Sequence, residues 1–270
     1  MEKHKKKKSN KKLILILDGV LVLAVLAAAV VLIVTLSGGK KQTLKPDALN
    51  AAAASESTEG ELTEGGTSAP AGAPVVWNSD SEVPLSVDFA QLTAANPEVV
   101  GWLYGEGTGI NYAVMQNVDN DYYMTRNADG QKSDGGALCL DSRNSPEIAD
   151  AHLVIYGNAM ADGSMFGSLV NYRDQSFLDS NPTLYLLTKG KNFRMDVFAA
   201  YTASSAMSNY PIWFLDNAAR TEYINQVKKN SLVSAKVDIP SGAMLLSLAT
   251  NLSGDSDTRF VVCGVLTEVA

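Results

Sequence analysis

The chain has 270 residues, 46% hydrophobic and 19% charged, which is ordinary globular usage and excludes wholesale disorder or collagen-like repeats. Two cysteines with no CxxC pair exclude a disulfide-dense scaffold or a zinc knuckle, and two histidines leave little imidazole chemistry, since His4 sits in a lysine run and only His152 lies in the body. The net charge of −7 divides into a basic start and an acidic body, with 15 basic against 27 acidic side chains from residue 37 onward, so the folded part lacks the positive surface of a nucleic-acid binder.

Residues 1–12 hold seven Lys and one Glu and are expected to form a cytoplasmic basic tail. Residues 13–36 are apolar apart from Asp18, and Gly19–Leu36 is uncharged throughout. At about 1.5 Å per residue a helix of that length crosses a bilayer core, and lysines before a first span hold that end inside the cell. A cleaved signal peptide shares the pattern of charge followed by an apolar run. The run is long, however, and the small residues Ala27–Ala29 are followed by more Val, Leu and Ile. The expectation is an uncleaved single-pass anchor in the cell membrane, with the C-terminal bulk extracellular.

Residues 37–85, rich in Ser, Gly, Ala, Thr, Glu and Pro, bury too little apolar surface to offset their ordering entropy and read as a flexible linker. Residues 86–270 read as one mainly β domain. A first helix is expected near Asp88–Ala95, stopped by Asn96-Pro97. Phe193–Val197 alternates apolar and charged side chains as a half-buried strand does. Short apolar runs at Leu153–Tyr156, Leu184–Leu187, Met244–Leu248 and Phe260–Val262 fit buried strands. A second helix is expected over about Asp216–Asn230, with an apolar stripe of Tyr223, Ile224 and Val227. Many short strands with few helices point to a barrel or sandwich with peripheral helices.

Several blocks, in order, resemble a class B sortase domain: Asn96-Pro97-Glu98-Val99-Val100-Gly101-Trp102-Leu103, Gly135–Asn144, Val154-Ile155-Tyr156-Gly157, Asp162–Leu169, Leu246-Ser247-Leu248-Ala249-Thr250 and Arg259-Phe260-Val261-Val262. The resemblance implies a closed eight-stranded β-barrel. It also implies the setting of Gram-positive cysteine transpeptidases, which join surface proteins to the cell wall through a Cys nucleophile, a His and an Arg. On that pattern Arg259 occupies the Arg position. Asn158 stands after Tyr156-Gly157, where the family has His, and Asn251 stands after Ala249-Thr250, where it has Cys.

A carboxamide neither ionises in the physiological range nor shuttles a proton as imidazole does. In hydrolases of comparable arrangement, losing the nucleophile alone costs about 10⁶-fold in turnover. The expectation is a catalytically inactive pseudo-sortase that binds an extended peptide or a surface-protein sorting signal. An active sortase or a pilus component is a further candidate partner, and no cofactor or metal is expected. The alternative is an active cysteine-type transpeptidase using an unrecognised nucleophile. Arg259 could instead pair with Asp255 or Asp257. Cys139 reads as a core residue, and a Cys139–Cys263 disulfide stays open. Cys263 lies four residues beyond Arg259, roughly 13 Å along a strand. His152 is expected to cap a strand end at the surface, with no Ser-His or Cys-His pair nearby. The Asp162–Leu169 run reads as a turn into a short helix, and Asp119, Asp121 and Asp129 lack EF-hand spacing.

Overall fold

The computed structural model describes residues 75–78, 81–204, 210–252 and 255–270. The expected tail (1–12), the expected anchor (13–36) and most of the expected linker (37–85) lie outside them. Among the described residues no helix is long and apolar enough to cross a membrane.

Two short strands, β1 (Val75–Trp77) and β2 (Leu85–Val87), pair antiparallel ahead of helix α1 (Phe89–Ala95). Structure therefore begins before the expected boundary at residue 86. Val75, Val83 and Leu85 are buried with Phe89 and Leu92 against the barrel. Only these few apolar positions were present, scattered among Ser, Pro and Asp, so no periodic signal marked them.

Strands β3 (Val99–Gly105), β4 (Ile110–Met115), β5 (Leu138–Leu140), β6 (His152–Gly157), β7 (Thr183–Leu187), β8 (Asn192–Ser204), β9 (Leu245–Leu252) and β10 (Asp255–Val269) follow. They close a barrel in the order β10-β8-β7-β3-β4-β5-β6-β9, as the resemblance implied. A 3₁₀ segment, Gly167–Arg173, and helix α2 (Gln175–Ser180) separate β6 from β7, and helix α3 (Asn217–Asn230) separates β8 from β9. Both expected helices start at their capping aspartates. Asp88 accepts from the Gln91 amide at 2.9 Å and Asp216 from the Ala219 amide at 2.8 Å, each satisfying an amide that the helix leaves unpaired.

The side-chain period of two sorts each strand between two environments. Leu153 and Ile155 of β6, Leu246 and Leu248 of β9, and Phe260 and Val262 of β10 fill the barrel. Val154, Tyr156, Ala249, Val261 and Cys263 face outward and are covered by Ile224 and Val227 of α3. The parallel β6–β9 pair and the antiparallel β9–β10 pair lay these three strands side by side. That outer wall carries the candidate site.

Candidate functional site

Register places the three candidate residues along neighbouring strand ends. Gly157 of β6 pairs with Thr250 of β9, and Asn251 of β9 pairs with Arg259 of β10. Asn158 therefore leaves β6 beside the point where Asn251 sits. Gly157 must be small there. A Cβ on it would come within 2.5 Å of Leu138 Cδ2 and 2.7 Å of Phe166 Cδ2, so the inward-facing position before Asn158 has no room for a side chain.

The two asparagines do different things. Asn251 Oδ1 accepts a 2.7 Å hydrogen bond from Arg259 Nη1. Asn158 turns away from this pair. Its Nδ2 donates to the Met124 carbonyl at 2.7 Å and lies 3.3 Å from the Gly135 carbonyl, while its backbone carbonyl accepts from the Phe166 amide at 2.9 Å. Among the described residues no hydrogen bond joins Asn158 to Asn251 or Arg259. Asn158 thus ties the β4–β5 connection to the turn after β6. Among the described residues no hydrogen bond engages Asn158 Oδ1 or Asn251 Nδ2, so the first can accept and the second can donate.

Arg259 is aimed by its surroundings. Its guanidinium carbon lies 5.4 Å from the centroid of the Tyr156 ring, within reach of the attraction between a cation and an aromatic face. The Tyr156 hydroxyl donates to the fully buried Asp141 at 2.8 Å, and Arg143 grips the same carboxylate through Nε at 2.9 Å and Nη2 at 2.7 Å. Burial alone would raise the Asp141 carboxyl, but the hydrogen bonds from Arg143 and Tyr156 outweigh it and hold the group below its usual value. Arg143 Nη2 also reaches the Tyr210 carbonyl at 3.2 Å, and the Tyr210 ring sits edge-on to Tyr156 with centroids 6.3 Å apart.

His152 differs from expectation. It is wholly buried, not a surface cap at a strand end. Its Nδ1 lies 2.6 Å from the Pro211 carbonyl and its Nε2 2.8 Å from Ser247 Oγ, which is in turn 3.0 Å from Cys263 Sγ. A Ser-His pair therefore exists where none was expected. It lies on the outer face of β6 and β9, covered by Tyr223 of α3, with Ser247 also fully buried. A carbonyl can only accept, so Nδ1 carries the proton and Nε2 accepts from Ser247. Burial pulls the imidazole pKa down to about 4, keeping the ring neutral at ordinary pH. No signal within the sequence pointed to this chain of contacts, because Ser247 is 95 residues from His152 and meets it only through the parallel β6–β9 pairing.

Both cysteines are free and buried, so the disulfide left open by the sequence is not formed. Burial pushes the Cys139 thiol up to about 12 and the Cys263 thiol up to about 11. Among the described residues no group of three His, Cys, Asp or Glu side chains could hold a metal ion.

No family model matches the chain. It is 31% identical over 163 residues to the sortase B of Listeria monocytogenes, spanning 60% of this chain and 66% of that protein. The crystal structure of sortase B from Bacillus anthracis in complex with AAEK1 superposes with a TM-score of 0.63 at 30% identity, covering 72% of this chain and 89% of that one. The Staphylococcus aureus sortase B–substrate complex superposes with a TM-score of 0.64 at 23% identity, covering 68% and 86%. A sortase B complexed with triglycine gives the same TM-score of 0.64 at 24% identity, again covering 68% and 86%. At those two identities the likeness speaks for the fold. Taken with the closed barrel, the 30% identity across nine-tenths of the Bacillus protein means that this chain belongs to the class B sortase family.

Proposed function

We propose that this sortase-family domain binds an extended, sorting-type peptide without cutting it. The observation that carries the reading is the 2.7 Å contact between Arg259 and Asn251. Where a transpeptidase of this family would set a thiolate beside its Arg, a neutral amide occupies the guanidinium. The remaining donors and acceptors suit a peptide backbone. The guanidinium and Asn251 Nδ2 can donate to ligand carbonyls, while Asn158 Oδ1 can accept from a ligand amide. Neither carboxamide carries a charge that could replace the missing thiolate or imidazole.

The alternative transpeptidase needs another nucleophile. Neither cysteine suits the role, because the thiolate is the reactive form and both thiols are buried with raised pKa. Ser247 has His152 as a neighbour, yet neither side chain reaches the surface. The substrate complex of the Staphylococcus aureus enzyme and the triglycine complex of a sortase B support a peptide-type partner. The extracellular setting, the single anchor at 13–36 and a second partner such as an active sortase or a pilus component belong to the same proposal. The setting and the anchor rest on the charge and hydropathy pattern of the N-terminal region.

Calorimetric titration of the full chain with a sorting peptide should give saturable binding that Arg259→Ala weakens by about tenfold or more, the scale of losing charge-assisted hydrogen bonds. Mass spectrometry should find no acyl adduct on the chain, and a covalent adduct would establish the alternative. The double substitution Asn158→His with Asn251→Cys is expected to restore thiol-dependent transfer of the peptide to an amine.

A further inference from the structure

Three consecutive carbonyls of the connection from β8 to α3 are held by groups near the start of β6. Arg143 Nη2 donates to Tyr210 O, His152 Nδ1 to Pro211 O at 2.6 Å, and the His152 backbone amide to Ile212 O at 3.3 Å. Two residues further on, the Phe214 ring stacks nearly parallel on the imidazole, with centroids 6.3 Å apart and an interplanar angle of 14°. The strapped segment presents Tyr210, which is fully buried against Tyr156, the ring that supports Arg259. A shift of the segment would therefore move one side of the Arg259–Asn251 site.

We propose that His152 is a positioning residue, acting on ligand through the strap: its Nδ1 bond to Pro211 sets the wall of the Arg259–Asn251 site, while its Nε2 arm to Ser247 serves only the packing behind. This rests on the peptide-binding reading of that site. The two arms of the ring are separable by substitution. Asparagine places Nδ2 where Nδ1 sits and can still donate to Pro211, but it does not reach Ser247. Glutamine reaches Ser247 with Oε1 but has no donor at the Nδ1 position. Each variant loses one buried hydrogen bond and so carries a comparable stability cost.

The test measures peptide affinity and melting temperature for the full chain carrying His152→Asn, His152→Gln or Ser247→Ala. His152→Gln should weaken affinity by about tenfold, the scale of one hydrogen bond. His152→Asn and Ser247→Ala should stay within about twofold of the unmodified chain although both melt earlier. Affinity falling in step with melting temperature across all three, or unchanged in His152→Gln, would overturn the proposal. Deuterium uptake over residues 210–216 supplies a readout that needs no ligand, and it should rise in His152→Gln and not in His152→Asn. If the unmodified chain binds no peptide, the peptide-binding reading fails, and this uptake pattern alone decides whether His152 holds the segment; equal uptake in both variants would end the proposal.

Discussion

The two sides of one barrel wall are built on different physics. On the inside of β6, β9 and β10, Leu153, Ile155, Leu246, Leu248, Phe260 and Val262 are aliphatic or aromatic and buried. Their contribution is apolar area removed from water, non-directional and set by volume. On the outside of the same strands stand His152, Tyr156, Ser247, Asn251, Arg259 and Cys263. Each of them is held at a stated distance by a named partner. There the requirement is satisfaction of polar atoms away from water, and a single missing partner costs more than a single bond contributes. On this wall a change of volume should therefore matter inside, and a change of donor or acceptor outside.

Adjacent residues of β10 separate the two faces most directly. Phe260→Ala should cost about 3–5 kcal/mol in chemical denaturation. Arg259→Ala, one residue away but facing outward and part-exposed, should cost about 1–2 kcal/mol, the scale of its hydrogen bond to Asn251 and its ring contact. Equal losses would erase the distinction between the two faces.

Next in size is a pH effect confined to the outer wall. His152 has its folded pKa lowered to about 4 by burial, against an ordinary value of 6.5. The unfolded chain therefore binds the extra proton first as pH falls. The stability that the neutral, buried ring supplies is fully present above about pH 6.5 and is lost progressively down to about pH 4. At roughly 1.4 kcal/mol per pKa unit the loss amounts to about 3.5 kcal/mol. Denaturation midpoints followed from about pH 7 to about pH 4 should fall accordingly, and His152→Asn should flatten that part of the curve.

A substitution that barely changes volume isolates the polar contribution of the outer face. Ser247→Ala removes the donor to His152 Nε2 and the neighbour of Cys263 while changing volume by a single oxygen. It should cost about 1–3 kcal/mol, which a purely volumetric account of the wall would not anticipate. Differential scanning calorimetry at neutral pH would measure it.

Much of the fold is legible in the sequence. The alternation at Phe193–Val197 is observed in β8, where Phe193, Met195 and Val197 are buried and Arg194 and Asp196 are not. The helices expected near Asp88–Ala95 and over about Asp216–Asn230 are both observed, with Asp88 and Asp216 as their caps. The turn and short helix expected from Asp162–Leu169 are found as the bend leading into the 3₁₀ segment. The β1–β2 pair was missed because two three-residue strands carry too few alternations to stand out from a Ser- and Pro-rich stretch. A period of two places Tyr156 on the outer face of β6, two residues before Asn158.

What the sequence determined by itself is local. Strand and helix positions, the polarity of each face, and the placing of two amides and one guanidinium on family-like blocks all follow from short-range pattern. Only the tertiary structure decided which groups meet. His152 came inside because β6 pairs in parallel with β9 and the segment after β8 folds over it, supplying acceptors that no neighbour in the chain offers. Asn158 and Asn251, alike as residues, parted for the same reason. One faces the carbonyls of a loop and the other a cation, and the hydrogen-bonding role of a carboxamide is set by whatever the fold brings against it.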